Sequence, residues 1–388
     1  MQLVDVLRGY ALFGVFLVRM TEVYSGWNEA NATALSIAPV DALAEYLVRT
    51  LAQDKFRALF SLLFGLGFYM QLQKSEAKGS AFGAVFCRRL AVLFLFGLCH
   101  AYLLWSGDIL RWYAIAGLFL LPLRRLTPQW LFFLGLFLVV APNVAYETAG
   151  KWLVMNPPAD EGERAAVRTL TSTSSYWTML QANVRIVNAS WLHIGEHISN
   201  IAVVVGYFLL GVWCGRLQLF SPGAVRRQYN THRTHIRKTL LALLFAGIFI
   251  LAVTAAWVVA AGISPGTLFS SGSLPRLVLA HAKTPVIVAV HIGLVMALYH
   301  FPFWRKRIMI LSYAGRMTLT NYIAQSVIGI GIFYGVGLGL HGQIRPVFTV
   351  LLTIALFILQ VLFSWWWQGR YRVGPLERVW RLLVRGNQ

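Results

Sequence analysis

The sharpest chemical signal in the sequence is GLCHAYLLWSGDILRWYAIAG, residues 97–117, which sets a histidine and an aspartate on either side of a Ser-Gly turn. His100 precedes the end of one apolar run by about a turn and a half of helix, and Asp108 opens the next run. A turn this tight places the two helices side by side and antiparallel, so imidazole and carboxylate converge. A carboxylate that orients an imidazole makes an acid/base pair able to deprotonate a hydroxyl or an amine. The ordinary alternatives are that Asp108 caps its own helix and that His100 hydrogen-bonds a neighbouring one.

Other titratable and amide groups stand inside apolar runs. Asp5 and Arg8 lie three apart on one helical face, and Arg19 and Glu22 repeat that spacing further along. Each couple can form a local ion pair. Unpaired, Arg8 is placed to meet a phosphate, and Glu22 to act as acid or base toward an outward cavity. WLHIGEH, residues 191–197, brings His193, Glu196 and His197 together and formally matches an inverted zinc-protease string. That chemistry needs a further acidic ligand on a later helix, and the only acidic residue after Glu196 is Glu377, on the opposite side by topology. The histidines are therefore read as polar residues at the mouth of an outer cavity, and no metal is expected. SYAGRMTLTNYIAQS, residues 312–326, puts Arg316 and Thr320 on one helical face and Asn321 with Gln325 on another. Such groups usually glue helices together, but this density suits a face that lines a cavity.

The elements that must position these groups follow from composition. The chain has 388 residues, 58% hydrophobic and only 12% charged, with a mean hydropathy of +0.63. Soluble domains carry about 25% charged residues, so a water-soluble enzyme of this length is excluded. Disorder and a disulfide scaffold are excluded too, because apolar residues dominate and only three cysteines are present. An all-α, polytopic membrane protein remains. About ten stretches are long and apolar enough to span, at 3–24, 45–73, 90–106, 108–123, 129–147, 191–219, 239–262, 277–302, 308–334 and 347–368. The first reads as a retained span, not a cleaved signal peptide. The chain is expected to form one membrane domain over 1–388. Residues 148–190 read as an extracytoplasmic loop with an interfacial helix, and 220–238 as a basic cytoplasmic loop. Cys87, Cys99 and Cys214 are expected to be buried thiols. A charged side chain inside a span costs at least about 2.5–3.5 kcal/mol, which makes each such group, Arg57 and Arg111 included, a functional candidate.

The formal charge of +20 would suit a nucleic-acid surface if it were gathered on one soluble face. Instead the basic residues occupy alternate gaps. Lys74, Lys78, Arg88 and Arg89 follow the second run, Arg124 and Arg125 the fourth, and Arg216 to Lys238 the sixth. Arg305 to Arg307 follow the eighth, and Arg370 to Arg385 the tenth. By the positive-inside rule both termini are cytoplasmic, and the excess serves orientation and anionic lipid headgroups. No nucleic-acid partner is expected.

With these motifs in hand, the chain resembles the bacterial YeiB family, also described as domain of unknown function 418. The likeness rests on VDVLRGYALFGVFLV at 4–18, FRALFSLLFGLGF at 56–68 and GLCHAYLLWSGDIL at 97–110. GRMTLTNYIAQS at 315–326, GLGLHGQ at 337–343 and RYRVGPLERVWR at 370–381 are its most specific part. The resemblance implies a relation to the transmembrane acyltransferases, which include the acyltransferase-three enzymes and the lysosomal glucosaminide acetyltransferase. It further implies an acyltransferase-like bundle in the bacterial cytoplasmic membrane that moves an acyl group from cytoplasmic acyl-CoA to an acceptor on the far side. Arg8 takes the arginine of the family's first span. The acyltransferase-three pattern has a histidine eleven residues on, and related YeiB sequences tend to asparagine; this chain has Arg19 there, so His100 becomes the substitute base.

The function expected on these grounds is O- or N-acyl transfer, with His100 as base, Asp108 orienting it and Glu22 as a further acid/base residue. Arg8 and Arg57 would hold the phosphates of the acyl-CoA donor, and Asn321 or Arg316 would stabilise the oxyanion. Arg19, Arg111, Gln325, His193 and His197 would line the substrate path. The competing class is a transporter or flippase for a lipid or anionic metabolite, which the intramembrane arginines and histidines also suit. A non-catalytic partner of an envelope pathway is the third reading. Membrane lipids are the expected surroundings, and a homodimer is one assembly open to the chain.

Overall fold

A computed structural model describes residues 2–27, 38–77, 79, 82–150, 161–220 and 274–385, whose regular elements are all helices, without a strand among them. In chain order the helices are α1 Gln2–Val18, α2 Pro39–Leu47, α3 Lys55–Glu76, α4 Phe82–Leu103, α5 Leu110–Leu118, α6 Pro128–Ala145 and α7 Glu161–Ser172. Then follow α8 Tyr176–Ser190, α9 Ile194–Arg216, α10 Leu274–His300, α11 Leu311–Arg316, α12 Thr318–Phe333, α13 Pro346–Arg370 and α14 Pro375–Arg385. Five helices among the described residues are long and apolar enough to cross a membrane: Phe82–Leu103, Pro128–Thr148, Ile194–Arg216, Ala280–His300 and Pro346–Arg370. The expected run at 239–262 and nearly all of the basic loop at 220–238 lie outside the described residues.

Helix α1 is buried around most of its circumference (Leu3, Val4, Val6, Leu7, Ala11, Leu12 and Phe16), as a helix enclosed by others must be. It meets α11 almost backbone to backbone. A Cβ on Gly9 would lie 2.1 Å from the Leu311 carbonyl oxygen, and one on Gly315 only 1.9 Å from that of Asp5. Helix α9 is gripped in the same way by α3, where a Cβ on Gly211 would fall 2.0 Å from the Leu62 carbonyl oxygen. Small residues substitute for hydrophobic drive in such contacts by letting main chains approach. Helix α13 buries one stripe, Thr349, Thr353, Phe357, Gln360 and Ser364, and leaves Leu351, Ile358 and Leu362 exposed on its outer side. That is the pattern of a helix at the rim of a bundle.

Several apolar runs that read as continuous are divided. The run from 45 turns at Asp54, whose φ is +64°, so α3 starts afresh at Lys55. The run 108–123 forms α5, followed by a short turn of helix at Leu120–Leu123. The run 308–334 breaks at Met317 (φ −113°, ψ 41°) into α11 and α12. Glu377 of α14 stabilises that break: its Oε1 accepts the N–H groups of Leu319 and Thr320 at 2.7 and 3.0 Å, and its Oε2 the Thr320 hydroxyl at 2.5 Å. A carboxylate on the first turn of α12 satisfies orphan donors and complements the helix dipole. The interfacial helix expected within 148–190 is two helices, α7 and α8. Cys87 and Cys99 are exposed, which corrects the expectation of buried thiols, while Cys214 is buried.

Basic clusters gather at one end. Arg216 donates to the carbonyls of Leu126, at 2.6 Å, and Arg124, and Arg88 donates to that of Val384 at 3.3 Å. At the other end α8 packs on the α4–α5 turn, where Asn183 accepts the N–H of Ser106 at 3.0 Å and the Tyr176 hydroxyl donates to the Leu103 carbonyl at 2.8 Å.

Candidate functional site

The α4–α5 turn sets the site. The N–H groups of Leu104 and Trp105 both donate to the His100 carbonyl, at 3.0 and 2.9 Å, which ends α4 and swings the chain back. Gly97 lets α5 approach, since a Cβ there would lie 2.4 Å from the Arg111 nitrogen and 2.8 Å from Asp108 Oδ2. His100 Nδ1 and Asp108 Oδ1 are 2.8 Å apart, and Asp108 Oδ2 accepts the Arg111 N–H at 2.9 Å. The capping role and the His–Asp pairing are therefore both present, one on each carboxylate oxygen.

His100 Nε2 lies 2.8 Å from the hydroxyl of Ser326 on α12. With the carboxylate on Nδ1, the proton sits on Nδ1 and Nε2 accepts from the serine hydroxyl. All three side chains are buried. The result is a continuous Ser326–His100–Asp108 chain in the order hydroxyl, imidazole, carboxylate.

Arg19 completes the group. A π-helical turn at Arg19–Tyr24 continues α1 and changes its register, which turns Arg19 inward and Glu22 away from it. The local Arg19–Glu22 ion pair suggested by their spacing is accordingly not formed. Arg19 donates to Ser326 Oγ at 3.2 Å and to the Tyr322 hydroxyl, and its guanidinium packs 4.4 Å from the Trp105 ring and 4.1 Å from that of Tyr322. The Tyr322 hydroxyl in turn donates to Asp108 Oδ1 at 3.3 Å and accepts from the Ile109 N–H at 3.3 Å.

A cavity of about 480 Å³ leads toward this group from the basic end. Among the described residues its lining includes the arginines Arg8, Arg89, Arg316, Arg372 and Arg381 and the carboxylates Asp5 and Glu377, with Leu110, Tyr113 and Tyr322 at its deep end. Arg8 pairs with Asp5 at 3.3 Å, and Glu377 is occupied by the start of α12. The cavity wall thus carries excess positive charge, and its floor is the tyrosine that touches Arg19 and Asp108.

Five expectations change. Arg57 pairs with Asp54 at 3.1 Å, partly exposed, at the end of α3 remote from the cavity mouth, about 15 Å of helix rise from Gly67, which faces Arg8. Asn321 donates to Ser364 at 2.9 Å, and Gln325 to Gln360 at 3.2 Å and to the Leu12 carbonyl at 3.4 Å. These amides join α12 to α13 and α1 and do not face His100. Glu22 lies toward Arg49 and Lys55, away from the His–Asp pair. His197 stacks on Trp112 at 4.1 Å and bonds the Ser190 carbonyl, away from His100, and half-buried His193 stands at the start of α9. Arg111 is close to the site but on its other side, packed 5.0 Å from Trp112 and 5.2 Å from Trp191 and donating to Ser190 at 3.4 Å. Ser326 and Tyr322 were not singled out from sequence. Their signal is the i,i+4 pair in NYIAQS one residue beyond Asn321 and Gln325. No cluster of three or more potential metal ligands occurs among the described residues.

Residues 223–387 match the family model described as "Protein of unknown function (DUF418)". Over nearly the whole chain, the protein is 29% identical to the uncharacterized protein YxaH of Bacillus subtilis (strain 168), with 97% of this chain and 92% of YxaH covered. It is 26% identical to the uncharacterized protein YeiB of Escherichia coli (strain K12), covering 98% and 95%. No solved structure matches the chain. Its motifs, its C-terminal block and its full-length relatives together support assignment of the chain to the YeiB (DUF418) family.

Proposed function

We propose that this protein is a membrane-embedded acyltransferase that takes an acyl group from acyl-CoA at the basic, cytoplasmic end and delivers it to a hydroxyl or amine acceptor on the other side. The observation that carries the reading is the Ser326–His100–Asp108 chain standing just behind the floor of an arginine-walled cavity. About ten spans with both termini cytoplasmic, in a bacterial cytoplasmic membrane, complete the picture by the positive-inside rule.

The cavity supplies what an acyl-CoA donor needs. Arginine forks bind phosphate oxygens in pairs, and Arg8, Arg89, Arg316, Arg372 and Arg381 would share that load. From Arg89 to His100 the rise of α4 is about 16 Å, a distance suited to an extended pantetheine arm. At its end His100 Nε2 is the base, Asp108 holds the reactive tautomer and steadies the imidazolium, and Arg19 replaces Asn321 as the donor toward the oxyanion of the tetrahedral intermediate.

Transport is the second reading, favoured by the break between α11 and α12, since interrupted helices often carry binding sites in transporters. Binding of coenzyme A to the purified protein in lipid nanodiscs, with thiol release from acyl-CoA, tests the first reading. Saturable binding that weakens at least tenfold in Arg8→Gln/Arg316→Gln supports it, and no binding at millimolar coenzyme A overturns it. Uptake of a solute into proteoliposomes without chemical change supports transport.

A further inference from the structure

Resting on the acyltransferase reading, we infer that Ser326 is the nucleophile and carries the acyl group as an oxygen ester between the two sides of the membrane. Three geometric facts point there. The hydroxyl lies 2.8 Å from the one imidazole nitrogen left to accept a proton, because the other is held by Asp108 at 2.8 Å. Arg19 reaches the same oxygen at 3.2 Å and directs its other side-chain bond to a tyrosine hydroxyl, not to a carboxylate, so its charge is available to an oxyanion formed there. Ser326 stands one helical turn beyond Tyr322, the cavity floor, and its partner His100 packs 6.3 Å from the Trp105 ring, in the turn that α8 covers.

The position answers a problem of reach. Direct transfer requires donor and acceptor to meet at His100 at the same moment from opposite ends of a buried site. A serine ester separates the two encounters. In the first, the Ser326 Oγ–H proton passes to His100 Nε2 as Oγ bonds to the thioester carbonyl carbon. The carbon–sulfur bond then breaks and the departing thiolate of coenzyme A takes the proton from the imidazolium. In the second, an acceptor hydroxyl or amine gives its proton to Nε2 and attacks the ester carbonyl. The carbon–Oγ bond breaks, and Oγ recovers the proton from the imidazolium. No oxidant, reductant or further reactant enters either half.

The test uses the full chain in nanodiscs with acetyl-, octanoyl- and palmitoyl-CoA and no acceptor. A burst of coenzyme A approaching one per protein, with the acyl mass found on the peptide containing Ser326, is expected. Ser326→Ala should abolish the adduct and lower the burst of coenzyme A by at least a hundredfold while coenzyme A binding stays within threefold of the parent. Ser326→Cys should form a thioester cleaved by neutral hydroxylamine, a signature that a structural hydrogen-bonding role would not produce. An unacylated Ser326 with all three donors, or Ser326→Ala with an undiminished burst of coenzyme A, overturns the relay and leaves direct transfer at His100. Absence of coenzyme A binding in the parent protein overturns the acyltransferase reading itself.

Discussion

Substitution of Asp108 by asparagine separates a cap from an acid/base partner. Asp108 accepts three hydrogen bonds, from His100 Nδ1 at 2.8 Å and Tyr322 at 3.3 Å on one oxygen, and from the Arg111 N–H at 2.9 Å on the other. Asparagine has a single acceptor oxygen, and Gly97 packs too closely for the side chain to move aside. If that oxygen faces His100, the amide opposes the Arg111 N–H and a buried donor loses its partner, at a cost of about 1–3 kcal/mol. If it faces Arg111, the amide donates to Nδ1, the imidazole proton moves to Nε2, and Nε2 then points a hydrogen at Ser326. In that arrangement the base is lost. Both arrangements remove the charge that steadies the imidazolium. The corresponding change in a serine-protease triad lowers turnover about 10⁴-fold, and a fall of at least ~10³-fold is expected here. The assay is coenzyme A release in nanodiscs under saturating donor, beside thermal unfolding of the same preparation. Turnover within threefold of the parent, with or without a change in stability, would refute the role given to Asp108 and leave it a helix cap.

Three further outcomes follow from the same geometry. Arg19→Gln should lower turnover by ~10²-fold or more with coenzyme A affinity unchanged, because the oxyanion loses its charged donor while the cavity arginines remain; steady-state kinetics beside binding isotherms check it. Gly315→Ala should destabilise the protein by about 1–3 kcal/mol and lower its melting temperature, because the new methyl would lie 1.9 Å from the Asp5 carbonyl oxygen. Asn321→Leu should cost stability of about 1–3 kcal/mol, since it strips the α12–α13 seam of its Ser364 contact, and leave turnover within twofold.

How much of this was legible in the sequence depends on how local each contact is. His100 and Asp108 are eight residues apart across one turn, so their convergence follows from helix geometry alone. Ser326 reaches the same imidazole across 226 positions, and only the packing of α12 on α1 and α4 can place it. The polar density of NYIAQS was readable, but Asn321 with Gln325 and Tyr322 with Ser326 both stand four apart. Periodicity cannot tell which of two adjacent faces meets the histidine. The break at Met317 escapes because the apolar pattern continues through it, and the carboxylate that satisfies the new helix start comes from Glu377 of α14. The same holds for Arg57: its place within the run 45–73 is readable, while the end of the bundle it occupies relative to Arg8 requires the direction of α3.

The arginines show why the site is arranged for negative charge. Arg216 and Arg88 bond main-chain carbonyls at the basic end, that of Arg124 among them, and such arginines are what the positive-inside rule expects. Arg8 and Arg316 open on the cavity, where a phosphate would find them. Arg19 and Arg111 are 4% and 2% exposed; Arg19 is linked to Asp108 through the Tyr322 hydroxyl, and the Arg111 main-chain N–H donates to the same carboxylate. Burying a guanidinium without a carboxylate of its own costs several kcal/mol, which the tryptophan faces around each only partly offset. For Arg111 the Nε and Nη1 groups have no hydrogen-bond partner among the described residues, so hydrogen bonds, both from Nη2, meet that cost only in part. A fold selected for stability alone would place leucine or methionine at such positions. Two guanidiniums around one acid leave a net positive centre, preorganised before any substrate arrives. On the proposed acyl transfer, its complement would be the negative charge that develops on a carbonyl oxygen as Ser326, or an acceptor in its place, attacks.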